Sequence, residues 1–254
     1  MFNRPTFRIR GLRSGLPHFF LAVAALSLAS PSFAEEPYSI EQVMAKASAY
    51  LPSSVADGLD PSGFRLYTMT NGLKSTVCEL WWAKTVSSSQ APKNGNLHYG
   101  SLQVGAFVGV LHFPAEASED YREDFHDQKL RPGYYTMRYA PQPKDPDQKS
   151  SPEADFLVLS PVSVDRDPSR VLDMGELVRL SKIATRTGSP AVVSLADGSS
   201  GSGAQRVQLP SVSTNDSGLC ILRSEVRVAG EKGGSRNMPV AVVLVTPKQD
   251  NGAS

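Results

Sequence analysis

Hydrophobic and polar residues alternate in short runs over most of the chain, a pattern that predicts half-buried β-strands. One such run lies in "LRPGYYTMRYAPQP", residues 130–143. Its Pro132-Gly133 pair predicts a turn, so the strand should begin directly after it. The alternation predicts a core face and an opposite face, formed respectively by Leu130, Tyr135, Met137 and Tyr139 and by Tyr134, Thr136 and Arg138. Tyrosine suits a core face because its ring buries apolar area while its hydroxyl reaches a polar partner.

Further strands are predicted on both sides of this run. Segments 63–70 and 73–86 are expected to form a hairpin whose turn is Asn71-Gly72. The long run 99–113 is interrupted by Gly105 and Gly109, and glycine inside a strand indicates a bend, a bulge or a close backbone approach. Four more strands are predicted in the C-terminal half, over 155–162, 189–196, 218–230 and 238–245, and the last two should form a closing hairpin.

Two segments carry helical patterns instead. In 38–51 the apolar residues recur at helical spacing, Ser39 and Gln42 resemble a capping box, and Pro52 would end the helix. The second helix is predicted within 169–185, where Asp173 and Glu176 form the capping pair.

Strands greatly outnumber helices, and they are short and separated by turn residues. We therefore predict a mainly β fold, an antiparallel β-sandwich or open barrel with an N-terminal helix and one crossover helix. The predicted organisation is a signal peptide at 1–34, an N-terminal helix and linker at 35–62, a single β-rich domain at 63–247, and a disordered tail at 248–254.

The first 34 residues predict export. Four arginines without any acid precede the apolar run 19–30, and small residues lead up to Ala34. This is the pattern of a secretory signal, which we expect to be cleaved after Ala34. The apolar run is shorter than the roughly 20 residues that cross a bilayer. We therefore expect no transmembrane segment in the mature chain and a periplasmic or extracellular location, with an uncleaved amphipathic anchor as the alternative.

The charge balance argues against a nucleic-acid partner. The chain has 26 basic and 25 acidic residues, and four of the basic ones lie in the predicted signal. Cleavage would leave 22 basic against 25 acidic residues, a net charge of −3. Proteins that bind nucleic acid through its phosphates carry a strong positive charge instead.

Two cysteines, Cys78 and Cys220, lie in apolar strand-like runs. In an oxidising compartment they are candidates for a disulfide, which would stabilise the fold by about 4–5 kcal/mol in the chain-entropy model. A disulfide needs Cα atoms within about 7 Å, so their strands should then be neighbours. The alternative is a pair of buried thiols on unrelated strands.

The sequence lacks the common signatures of catalytic sites. The sequence has no H-E-x-x-H, G-x-S-x-G, S-x-x-K, P-loop or C-x-x-C motif, and no cofactor is predicted. The aromatic residues indicate binding instead: Trp81, Tyr99 and Tyr134, with Arg138, could stack on a sugar or another ligand if they lie on exposed faces. The alternative is that they pack in the core.

A metal site is the most specific chemical hypothesis. Glu123 and His126 are three positions apart, and on a helix they would share one face and could bind a divalent ion. The alternative is a solvated acidic connector that happens to contain a histidine. Asp145 and Asp147 could begin a calcium loop, but the central glycine and the final glutamate of such a loop are missing.

Several segments resemble known proteins. "CELWW", "YGSLQVGAFVGVLHF", "QKLRPGYYTMRYAPQP" and "DFLVLSPVSVDRDP", within 63–195, resemble a group of secreted bacterial proteins of unknown function. The resemblance implies a shared β-rich fold and no activity. The local pattern L-x-P-G-x-Y-x-M is similar to one in transthyretin-like and carboxypeptidase-regulatory-like β-sandwiches.

Three functional hypotheses follow. The first is an exported, non-enzymatic binding or envelope accessory module with a glycan or an envelope protein as partner. The alternative is a periplasmic hydrolase that uses His112 or His126 with nearby carboxylates such as Glu123, Asp124 or Asp127. The third is an interaction module that pairs an edge strand with a partner's segment.

Overall fold

The fold is taken from a computed structural model of the chain. The residues it describes are 37–44, 50–70, 73–89, 97–124, 126–141, 155–198, 208–215, 219–230 and 233–245. The predicted signal peptide, Asp145, Asp147 and the C-terminal tail lie outside them.

Within the described residues, ten strands form a single antiparallel sheet that is nearly closed, which confirms the mainly β prediction and corresponds to its open-barrel form. Their order is β1-β2-β3-β4-β5-β6-β7-β10-β9-β8, so β1 and β8 are the two edges, and these edges contact each other. The strands are β1 Tyr38–Val43, β2 Gly63–Thr70, β3 Leu73–Trp82, β4 Phe107–Phe113, β5 Gly133–Pro141, β6 Asp155–Pro161, β7 Ala191–Ala196, β8 Ser211–Thr214, β9 Cys220–Ala229 and β10 Ser235–Val245.

The part of the chain that the structure describes has two α-helices beside the sheet, α1 (Ser53–Gly58) and α2 (Met174–Ser181). The second helix begins as predicted, because the Asp173 carboxylate accepts a hydrogen bond from the backbone N–H of Glu176 at 2.8 Å. It lies in the connection between the antiparallel neighbours β6 and β7 and packs on their outer face.

The predicted helix over 38–51 is wrong where the structure describes this segment. Residues Tyr38–Val43 form β1, which pairs with β2 from Tyr38↔Thr68 to Val43↔Gly63. The edge of β2 offers a row of unpaired backbone groups, and pairing with it outweighs a local helical pattern that no packing supports. The described part of the segment 35–62 therefore contributes an edge strand to the sheet, and after Pro52 it forms the short helix α1.

The predicted faces of β5 are confirmed. The strand begins at Gly133, and Tyr135, Met137 and Tyr139 are buried in the interior of the sheet. The tyrosine hydroxyls find the polar partners that burial requires: Tyr135 donates to the carbonyl of Arg131 at 2.6 Å.

Both interrupting glycines mark close backbone approaches. A Cβ on Gly105 would lie 1.8 Å from the carbonyl oxygen of Leu172, and a Cβ on Gly109 would lie 2.2 Å from that of Trp81. The predicted strand 99–113 is accordingly shorter: β4 begins only at Phe107, after the left-handed turn at Gly105 with a φ of +78°.

The hairpin of β2 and β3 has the predicted two-residue connection, since Thr70 pairs with Leu73. Its register shifts between Leu66 and Tyr67, where a bulge places Leu66 opposite Cys78 and Tyr67 opposite Thr76. This bulge decides which side chains of β2 and β3 meet on the outer face.

Candidate functional site

A row of polar and aromatic side chains crosses five adjacent strands on the outer face of the sheet. Glu41 of β1 pairs with Arg65 of β2, Arg65 with Glu79 of β3, Glu79 with His112 of β4, and His112 with Tyr134 of β5. We call these five residues the outer row. Directly paired residues in a sheet point to the same face, so the register alone brings these side chains together.

From Arg65 to Tyr134, the side chains of the outer row are in direct contact. Arg65 Nε donates to Glu79 Oε1 at 2.6 Å, and His112 Nδ1 lies 2.9 Å from Glu79 Oε2. The rings of His112 and Tyr134 stack with centroids 3.9 Å apart and planes 6° from parallel. The Glu79 and His112 side chains are only 12% and 16% exposed, which makes the centre of the row a sheltered site.

Hydrogen bonding fixes the protonation of Glu79. The bond with His112, and then the bond with Arg65, hold the pKa of the Glu79 carboxyl below its ordinary value, against the opposing effect of burial. An ionised carboxylate only accepts hydrogen bonds, so His112 Nδ1 must carry the proton between them. In the neutral imidazole, Nε2 is then the basic nitrogen.

Tyr134 also lines an open cleft with a volume of about 490 Å³, which we call the Tyr134 cleft. The charged residues of its lining are Arg131 and Arg166, and no acidic residue is among the lining residues that the structure describes. Tyr50 and Ile183, at 88% and 50% exposure, add apolar surface. The cleft is therefore positively charged and partly apolar.

The walls of the cleft are fixed by hydrogen bonds. Arg131 precedes β5, and its carbonyl accepts the hydroxyl of Tyr135. Arg166 Nε donates to the carbonyl of Ser163 at 2.7 Å, and the carbonyl of Arg166 accepts the hydroxyl of Ser54 in α1 at 2.7 Å. Both arginines are thus held by their backbones at defined positions.

Arg138, predicted as an exposed binding residue, is fully buried instead. Its guanidinium donates to both carboxylate oxygens of Asp165, through Nε at 2.6 Å and Nη2 at 2.8 Å. The remaining hydrogen bonds go to the carbonyls of Gly105, Asp167 and Arg170. The prediction failed because the loop 162–173 folds over the outer face and covers this position.

Trp81 and Tyr99 are also buried, at 3% and 2% exposure, so neither is an exposed binding residue. The Trp81 indole lies over Gly63, where a Cβ would come within 2.4 Å of it. The Tyr99 hydroxyl bridges β7 and β10: it donates to the carbonyl of Ala196 at 2.8 Å and accepts from the N–H of Ala241 at 3.0 Å. The packing alternative holds for both, and of the four predicted binding residues only Tyr134 lines the cleft.

Glu123 and His126 lie in a turn rather than on a helix, so the geometry assumed for a metal site is absent. Glu123 pairs with Lys129 across this turn, and its Oε1 lies 3.8 Å from Lys129 Nζ. The His126 side chain is 57% exposed and its Nδ1 is 4.0 Å from Asp124 Oδ2. Within the described residues, no group of three or more histidine, cysteine, aspartate or glutamate side chains could hold a metal ion.

Asp124 has a structural role in the same turn. Its carboxylate accepts backbone N–H groups from His126 and Gln128, each at 2.9 Å, and from Val192 of β7 at 3.2 Å. Burial raises the pKa of this carboxyl, although the three hydrogen bonds oppose the shift. The carboxylate that contacts His112 is Glu79, on the neighbouring strand, rather than the predicted Glu123, Asp124 or Asp127.

Cys78 and Cys220 are both buried and form no disulfide in the structure. The strands that carry them, β3 and β9, are not neighbours in the sheet, so the expected adjacency of these strands is wrong. Burial, with a contribution from the nearby Cys220, raises the pKa of the Cys78 thiol.

Sequence reasoning missed Arg65, Glu79, Arg131, Arg166 and Tyr50. Alternation along β2 and β3 places Arg65 and Glu79 on outer faces, but their pairing depends on a bulge that carries no sequence signal. Arg131 and Arg166 lie outside the regular elements, where periodicity gives no information about direction.

No protein-family model, curated protein or solved structure matches this chain. In the part of the chain that the structure describes, none of the helices is both long and apolar enough to span a membrane.

Proposed function

We propose that the protein is an exported, non-enzymatic binding module that takes an anionic saccharide in the Tyr134 cleft. The observation that carries the proposal is the composition of the cleft: Arg131 and Arg166 beside the rings of Tyr50 and Tyr134, with no acid in the described lining. Export is supported by the signal-like segment 1–34.

The two arginines select the charge of the ligand. A guanidinium offers a planar fork of donors that matches a carboxylate, sulfate or phosphate group, and such charge-assisted bonds are stronger than neutral ones. Two acidic groups near the cleft are already bound to other residues, Glu79 to Arg65 and His112, and Asp165 to Arg138.

The aromatic side chains favour a saccharide among the possible anions. The faces of sugar rings are apolar, and flat side chains such as Tyr50 and Tyr134 provide contact area at low entropic cost. Tyr134 is held in place by its stacking on His112, so this surface is preorganised.

The test is calorimetric titration of the full chain with an oligosaccharide of uronic acids and with its neutral, carboxyl-reduced counterpart. We expect binding of the acidic probe only, weakened about tenfold or more by Arg131→Gln or Arg166→Gln. The matched control is Arg227→Gln, which removes the same charge from an exposed site on β9 and should leave the affinity unchanged. Equal binding of both probes, binding of neither, or equal losses in all three variants would overturn the proposal.

The alternative, a periplasmic hydrolase, is favoured by one contact. The 2.9 Å contact between His112 Nδ1 and Glu79 is the way a carboxylate orients a general base. However, the described contacts of His112 are with Glu79 and Tyr134 and include no serine, threonine or cysteine. The same titration separates the two functions, because a hydrolase would shorten the acidic probe, and mass spectrometry of the recovered probe would detect the products.

A further inference from the structure

Two contacts connect the end of β3 and the residues after it with β9, and both have the same offset in the sequence. Trp82 Nε1 donates to the Ser224 hydroxyl at 3.1 Å, and both groups are buried. Four positions later, Val86 pairs in parallel with Val228. In both pairs the partners are 142 positions apart in the sequence.

Continued along β3 and β9, the same offset would place the two cysteines opposite each other. Four positions before Trp82 and Ser224 lie Cys78 and Cys220, again separated by 142 positions. Side chains alternate along a strand, so Cys78 points to the same side as Trp82, and Cys220 to the same side as Ser224. Both cysteines belong to the interior core cluster, at 1% and 0% exposure. The contribution of Cys220 to the raised pKa of Cys78 agrees with this proximity.

We propose that Cys78 and Cys220 form an intramolecular disulfide when the chain folds in the presence of a disulfide oxidant. One thiolate attacks the oxidant and forms a mixed disulfide, which releases the first thiol of the oxidant. The second thiolate then displaces the other half, so two electrons and two protons pass from the cysteines to the oxidant. Burial closes both thiols to solvent in the finished fold, and the exchange therefore takes place before folding is complete.

The disulfide would connect strands on either side of the two sheet edges. On one side, the strands between β9 and β3 are β8, β1 and β2, and the edges β8 and β1 lie next to each other within this arc. A covalent bond from β3 to β9 would prevent these two edges from separating. It would also close a long loop, which restricts the unfolded chain.

The test is refolding of the full chain in a buffer of oxidised and reduced glutathione, compared with refolding in excess reductant. Each product is unfolded, alkylated and weighed by mass spectrometry. We expect the first product to be monomeric, lighter by two hydrogen atoms and unreactive towards the alkylating reagent. Its thermal midpoint should lie roughly 10 °C above that of the reduced product.

The controls are Cys78→Ala and Cys220→Ala. Each should take up the alkylating reagent at its remaining cysteine after reduction and lose the dependence of the midpoint on oxidant. Even if a variant fails to fold, the mass of the alkylated wild-type chain shows whether the disulfide has formed. Alkylation of both cysteines after oxidative refolding, or disulfides only between chains, would overturn the inference and leave the proposed binding function untouched.

Discussion

Two arginine–carboxylate pairs lie on the same outer face of the sheet, and they differ in what covers them. Arg65 and Glu79 meet in the outer row, where the Arg65 side chain is 36% exposed. Arg138 and Asp165 meet under the loop 162–173, where their side chains are 1% and 4% exposed. An arginine–carboxylate pair therefore has different surroundings in the two places: the covered pair fastens a loop, and the open pair lies at the partly exposed outer row.

The covered pair determines where the cleft can form. Asp165 accepts hydrogen bonds from Arg138 and from Thr136 of the same strand, so the loop is fixed to β5 at this point. Arg166 follows directly in the chain and lines the Tyr134 cleft. The buried ion pair thus positions a residue of the proposed site without touching the ligand itself.

The largest effect should come from breaking the covered pair. Arg138→Met leaves the Asp165 carboxylate buried without its counter-charge, so we expect the free energy of unfolding to fall by about 3–5 kcal/mol. Arg65→Met makes the same chemical change in the partly exposed pair, and we expect a loss of about 0–1 kcal/mol. Urea unfolding of both variants measures the difference. Equal losses of unfolding free energy in the two variants would show that burial does not make one pair more important for stability than the other.

An intermediate effect is expected from the pH dependence of the outer row. The pKa of Glu79 is lower in the folded chain than its ordinary value of 4.5, so the folded state favours the charged form. This contribution is fully present above pH 4.5 and is lost as the pH falls through the lowered pKa. Glu79→Gln should therefore reduce stability by about 1 kcal/mol at neutral pH and by progressively less as the pH falls through this range.

The measurement is urea unfolding of wild type and Glu79→Gln between neutral and acidic pH. Glu225→Gln removes the same charge from an exposed residue of β9 and is the matched control. The quantity compared is the difference in unfolding free energy between wild type and Glu79→Gln. If this difference stays constant down to the lowest pH, or if the control shows the same pH dependence, the hydrogen bonds with His112 and Arg65 do not stabilise the charged form of Glu79.

The contrast between the two pairs also shows what the sequence can predict. The start of β5 and its two faces follow from Pro132-Gly133 and the alternation, because both are local properties. The burial of Arg138 could not be predicted, since its partner Asp165 lies 27 positions away in an irregular loop. The β1 prediction failed for a related reason: a local helical pattern was overruled by pairing with β2.

The pairing of the outer row could not be predicted from the sequence, because it depends on a one-residue bulge. The two-residue turn fixes Thr70 opposite Leu73, and an unbroken ladder would place Arg65 opposite Cys78. The bulge between Leu66 and Tyr67 shifts the register and brings Arg65 to Glu79 instead. A bulge arises from tertiary packing and has no local signature here, so the strands were predictable while the site that they build was not.

The smallest effect should come from the stacking of Tyr134 on His112, where the outer row meets the cleft. Aromatic pairs contribute about 0.5–1.5 kcal/mol beyond their buried area. A double-mutant cycle of Tyr134→Leu and His112→Leu should therefore give a coupling energy of about 0.5–1 kcal/mol in urea unfolding. The control cycle pairs Tyr134→Leu with Arg227→Leu on β9, whose effects should add. Additive effects in the first cycle would mean that stacking on His112 does not stabilise the position of the Tyr134 ring. Other contacts in the Tyr134 cleft would then have to position it.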